Sequence, residues 1–145
     1  MLELKKEKKG KWFVIPNEPF GPKTVVKLKL IPITRKELLK SDCTETRFNK
    51  KTHQPYEYVN KEKQIKEVEN RLFNAVLDWE GVNAEFNREN WDVFIDKYGM
   101  IKLYSEWDEN EQVNSDVYLS GWIADICHNP KNFFEDDTEN LVPTS

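Results

Sequence analysis

The side chains best suited to chemistry in this 145-residue chain are few and scattered. Cys43, His53, Cys127 and His128 supply four nitrogen and sulfur donors, the minimum for a structural zinc. Only Cys127 and His128 are adjacent, and the spacing matches no finger, ribbon or knuckle. A buried cysteine beside a capping histidine is the preferred reading. A nucleophilic site would need Cys or Ser with a His base and an orienting acid, and nothing local activates either thiol. Asp78-Trp79-Glu80 and Trp107-Asp108-Glu109 each set two acids beside a tryptophan. A glycosidase needs two carboxylates roughly 5–10 Å apart in an aromatic-lined cleft, but a buried tryptophan with solvated neighbours produces the same triplets. The five glycines, at 10, 21, 81, 99 and 121, are too dispersed to form a phosphate-cradling loop. No catalytic, metal or cofactor residue is assigned, and the chain is expected to act by interaction.

Charge narrows the partner. The net charge of −4 conceals a division: residues 1–77 hold 18 basic and 10 acidic side chains, residues 78–145 hold 4 and 16. The halves carry +8 and −12. Most of the rings lie in the acidic half, which would repel phosphate, so nucleic acid is not the expected partner. No apolar run is long enough to span a membrane or to form a signal peptide, and two cysteines make no disulfide framework. These features predict a protein of a reducing compartment, the cytoplasm. The chain is 38% hydrophobic and 12% aromatic, so its core must rest on a few large rings.

Elements that would position these residues follow from periodicity. Residues 1–10 form a basic arm, with five lysines between Lys5 and Lys11. Trp12–Ile15 and the alternating Val26-Lys27-Leu28-Lys29-Leu30 predict an antiparallel β-pair. Thr34 and Glu37 have capping-box spacing before a short helix, which should end near Ser41-Asp42. Residues 43–60 alternate weakly and predict either a loose hairpin, with a turn at Asn49–Thr52, or a long loop. Ile65, Val68, Leu72, Val76 and Trp79 follow steps of three and four, predicting a helix of about five turns stopped by Gly81. Asn87 caps a helix carrying Trp91, Phe94, Ile95 and Tyr98. A segment from Ile101 to Trp107 follows, then a last helix from about Glu111 to Cys127, with a small-residue patch at Ser120, Gly121 and Ala124. Residues 129–145 are expected to be an acidic disordered tail whose sticky feature is Phe133-Phe134.

The expected fold is α+β. A small N-terminal antiparallel β-pair with a short helix packs on a mainly helical C-terminal half of three to four helices, and residues 11–128 form a single domain.

Leu72 to Tyr104 carries a resemblance. A helix ending in Val76-Leu77-Asp78-Trp79-Glu80-Gly81-Val82, a short polar step containing Phe86, a capped helix through Trp91 and Phe94, and another beginning near Ile101 resemble the tail assembly chaperones of long-tailed bacteriophages. The resemblance implies a non-catalytic protein of the host cytoplasm that binds the tape-measure and tail-tube proteins before the tube polymerises. An amphipathic helix of the tape measure could then lie in an apolar groove with a charged rim. The candidate partner-binding residues are Trp79, Phe86, Trp91, Phe94, Tyr98, Trp107, Phe133 and Phe134, with Trp91, Phe94, Tyr98 and Trp107 supplying the groove; a place in this domain's own core is the alternative for each groove ring, and the preferred one for any single ring. Some members of the family are made in two lengths by ribosomal slippage, for which Pro130–Phe134 could be encoded by slippery codons. Two alternatives stand beside it: a head–tail connector or tail-completion ring protein that homo-oligomerises through its opposite charges, and a small hydrolase using acids near Trp79.

Overall fold

The structure, a computed structural model, describes residues 10–39 and 43–134. In chain order the elements are β1 (Lys11–Val14), β2 (Lys27–Leu30), α1 (Arg35–Leu39), β3 (Thr44–Phe48), β4 (Pro55–Val59), α2 (Lys61–Asn74), β5 (Val76–Glu80), α3 (Arg88–Tyr98), β6 (Lys102–Asp108), β7 (Val113–Tyr118) and α4 (Leu119–His128), followed by a 3-10 turn, Pro130–Phe133. The strands form three small antiparallel sheets, ordered β1-β2-β5, β3-β4 and β6-β7.

The central sheet is built on the alternation of β2. Leu28 and Leu30 point inward and are fully buried, while Lys27 and Lys29 lie on the wetter face. On that face Lys29 pairs with Trp12 of β1 and Asp78 of β5, and Lys27 with Val14 and Glu80. The charge boundary of the sequence is thus a seam inside this sheet, with lysines of the basic half opposite carboxylates of the acidic half. Gly81 ends β5 at φ 89°, where an added Cβ would sit 2.0 Å from the Val25 carbonyl oxygen, so only glycine fits.

Capping sets the helix starts. The Asn60 side chain accepts from the Lys63 N–H at 3.1 Å, Asn87 from Asn90 at 2.8 Å, and the Thr34 hydroxyl from Glu37 at 3.3 Å. The core lies between the inner face of the central sheet and the helices α3 and α4. Leu28, Leu30, Val76, Trp79, Trp91, Phe94, Leu103, Leu119, Trp122, Ile123 and Cys127 compose most of it.

The expected helical C-terminal half is overturned, because strands run through the whole chain. Residues 76–80 extend no helix: α2 stops at Asn74, and Val76 and Trp79 lie in a strand, opposite Leu30 and Leu28. The register shifts there, so Leu77 bulges out and the inward residues of β5 fall three apart, a helical spacing made by a strand. Residues 113–118 likewise form a strand, and α4 begins only at Leu119. The segment that the resemblance reads as a helix from Ile101 is β6. The Trp79-Glu80-Gly81 step therefore closes a strand.

The N-terminal pair, the short helix at Thr34 and the capped helix at Asn87 stand as expected, and residues 43–60 take the hairpin alternative. The arm over residues 1–9, the helix end at Ser41-Asp42 and the tail from 135 lie outside the described residues. Residues 129–134, assigned to the tail, include an ordered turn that packs back on the domain. Its Phe133 meets Phe13 edge-on at 5.6 Å.

Candidate functional site

The eight rings expected to meet a partner have three fates. Trp79, Trp91 and Phe94 are core residues, with Trp91 only 1% exposed. Trp79 sits at the centre of an aromatic cluster, 5.2 Å from Phe86, 5.5 Å from Phe94 and 6.4 Å from Trp91. Its indole N–H donates to the Ala84 carbonyl at 2.8 Å, so the polar edge of the ring is satisfied inside the fold. Phe86 and Tyr98 are half-buried against the same cluster, and Phe133 against β1. Trp107 and Phe134, 58% and 60% exposed, face solvent. The groove expected from Trp91, Phe94, Tyr98 and Trp107 is not assembled, because the first two fill the core.

The open apolar surface lies elsewhere. The α2 helix buries no residue. It docks by its C-terminal end, where Leu72 and Phe73 pack on the core, while Ile65 and Val68 of the same stripe are exposed. Between α2 and α4 runs a groove of about 300 Å³, lined by Ile33, Val68, Leu72, Ser120, Gly121 and Ala124, with Arg71 and His128 beside them. A methyl group placed on Gly121 would meet no atom within 4 Å. The small-residue patch of α4 thus faces open space. Its signal was present in the sequence as Ser120, Gly121 and Ala124, and as the Ile65-Val68-Leu72 stripe.

A second exposed surface is the β3-β4 hairpin, whose strand residues are all exposed except the half-buried Glu45. Its aromatic side chains Phe48, Tyr56 and Tyr58 were missed as site candidates. The Thr-x-Thr-x-Phe and Tyr-x-Tyr alternations mark the strands, but they do not reveal that both faces stay wet.

Groups suited to chemistry are not brought together. Asp78 and Glu80 lie exposed on the central sheet opposite Lys29 and Lys27, and Asp78 accepts from the Trp79 N–H. A cleft of about 210 Å³ between α2 and α3 gathers Glu69, Asp92 and Asp96, of which Asp92 is bound to Arg88 at 3.0 Å. Among the described residues, no three His, Cys, Asp or Glu side chains are grouped to hold a metal ion. Cys43 and Cys127 are both buried. Burial alone pushes the Cys127 thiol up to about 12, which keeps it protonated and inert. The neighbouring His128 instead places its Nδ1 2.6 Å from the Ala124 carbonyl oxygen in the last turn of α4.

Two carboxylates on the surface are shifted as well. A hydrogen bond from Asn60 lowers the Glu45 carboxyl, and one from Ser105 lowers Asp116, which also pairs with Lys102 at 3.3 Å. Tyr104 is raised, chiefly by burial. Asp116 ties β7 to Ser105 and Lys102 of β6, and Glu45 ties β3 to the Asn60 cap of α2. Among the described residues no helix is long and apolar enough to cross a membrane. No protein-family model, no curated protein and no solved structure matches this chain.

Proposed function

We propose that this chain is a non-catalytic protein-binding domain whose groove between α2 and α4 receives an amphipathic helix of a larger partner. The observation that carries the reading is an apolar trough left open in a small domain, with Val68 on one wall and Gly121 and Ala124 on the other. Small residues allow a helix backbone to approach closely, and the flanking α2 stripe supplies apolar contacts at i, i+3 and i+7, the pattern of helix-in-groove recognition. An exposed apolar strip of this kind has a solvation cost of about 25 cal/mol per Å² that a partner removes.

The partner is taken from the sequence resemblance of Leu72–Tyr104 to phage tail assembly chaperones, of which the capped helix at Asn87 keeps its expected form while Val76–Glu80 and Lys102–Asp108 are strands. A tape-measure protein is long and helical, and its apolar face must be covered until the tube forms. The tail-tube subunit is the second client of that reading, and the host cytoplasm is its site.

Co-expression with the tape-measure protein of the same gene cluster tests the proposal. The wild-type chain should co-purify with it and raise its soluble yield. Val68→Asp, at an exposed position, should leave the domain folded and remove both effects. A tape measure equally soluble with either form, or with neither, refutes the reading.

A further inference from the structure

Two hairpin tips in this fold share one construction and carry opposite charge. In the first, exposed Phe48 precedes Asn49, whose Oδ1 accepts from the Lys51 and Thr52 N–H groups at 2.8 and 3.2 Å. Four residues beyond Asn49, His53 has φ 59°. In the second, exposed Trp107 precedes Asp108, whose Oδ1 accepts from the Asn110 and Glu111 N–H groups at 2.9 and 3.3 Å. Four residues beyond Asp108, Gln112 has φ 53°. Each tip is therefore an aromatic ring, an Asx-stabilised turn and a left-handed residue in the same order.

The charges differ completely. Arg47, Lys50 and Lys51 give the first tip +3, with no acid between Glu45 and Glu57. Glu106, Asp108, Glu109 and Glu111 give the second −4, and no Lys or Arg occurs from 103 to 130. Both rings are more than half exposed.

A two-stranded sheet packed on nothing is marginal in water, and both of its strands are edges with open backbone groups. The β3-β4 hairpin, with no buried strand residue, is in that condition. The ion pair Arg47–Glu45 offsets one charge of the first tip and leaves Lys50 and Lys51 as its excess, while Lys102–Asp116 lies outside the second tip and leaves its −4 in place.

We propose that the occupant of the basic β3-β4 tip is the acidic β6-β7 tip of a second copy of this chain. The contact sets Trp107 against Phe48, with Glu109 and Glu111 beside Lys50 and Lys51. It is heterologous: each copy keeps one tip unused, so copies add head to tail and either close into a ring or extend. The surface is distinct from the α2–α4 groove, and the inference does not depend on what that groove binds.

Sedimentation velocity of the full chain tests it, together with two charge-reversal variants at exposed positions, Lys50→Glu with Lys51→Glu and Glu109→Lys with Glu111→Lys. Circular dichroism confirms that each is folded. At about 20 mM salt the wild-type chain should form species larger than a monomer as concentration rises. Raising salt to about 0.5 M should weaken the association at least about tenfold, because screening shortens the reach of these charges to a few ångströms. Each variant alone should remain monomeric. An equimolar mixture should associate again, because each variant retains the intact tip that the other needs. A wild-type chain that stays monomeric at 0.2 mM (roughly the upper limit for a weak contact), variants that associate like wild type, or a mixture that stays monomeric overturns the proposal.

Discussion

Replacing Trp91 by alanine should cost far more than replacing Trp107, although the two have the same side chain and lie sixteen residues apart. Trp91 is 1% exposed and lies 5.6 Å from Phe94, 6.1 Å from Phe86 and 6.4 Å from Trp79. Its removal deletes the transfer free energy of a large ring and leaves a void that three rigid aromatic neighbours cannot close. Buried Phe and Trp to Ala changes cost about 3–5 kcal/mol. A domain of this size has roughly 5–15 kcal/mol of stability in total, so Trp91→Ala spends a large share of it. In a thermal melt the loss corresponds to a fall of roughly 10–15 °C. Trp107 is 58% exposed, and its truncation should stay within about 0.5 kcal/mol. Urea titration followed by far-ultraviolet circular dichroism avoids the complication that both variants lose a fluorophore. Equal midpoints for the two variants would refute the assignment of Trp91 to the core and would return it to the surface.

Three further outcomes follow from single residues. Gly81→Ala forces a Cβ onto the Val25 carbonyl at positive φ and should cost about 2–4 kcal/mol by urea titration. Gly121→Gln, on an open helical face, should leave stability unchanged or raise it by up to about 1 kcal/mol in the same assay. Cys127 holds its proton to about 12 when folded, against 9.0 for an ordinary thiol. Since the unfolded thiol ionises first, stability is complete below about pH 9 and declines from there towards 12. Stability of Cys127→Ala measured across that range should lack this component, and native Cys127 should resist alkylation by iodoacetamide at pH 8.

How much was legible in the sequence depended on whether an element's own pattern matched its final environment. Leu28 and Leu30 alternate with lysines, and β2 buries one face, so pattern and outcome agree. Thr34 and Asn87 could be read because capping is local chemistry that needs no tertiary partner. The strand at Val76–Glu80 was not legible because the bulge at Leu77 gives it helical spacing, and only pairing with β2 decides the matter. Val113 and Val117, four apart, fit one face of a helix and alternate positions of a strand equally well. Pairing with β6 selects the strand.

The same limit applied to the candidate site. The sequence cannot tell that Trp91 is enclosed by other rings while Trp107 stands at a hairpin tip, because residue type is the same and the difference lies in long-range packing. The small residues of α4 and the apolar stripe of α2 were visible separately. Their meeting across one groove was not, because it depends on how two helices 45 residues apart dock.

The most direct test of the groove is the affinity of the folded chain for a helical segment of the tape-measure protein, compared between wild type and Gly121→Gln by isothermal titration. Gly121 lines the α2–α4 groove, and a Cβ added there meets no atom within 4 Å. The account predicts that the variant is at least as stable as wild type and binds at least about tenfold more weakly, a loss of about 1.4 kcal/mol. Undiminished affinity in the variant would contradict it and would place the partner on another surface.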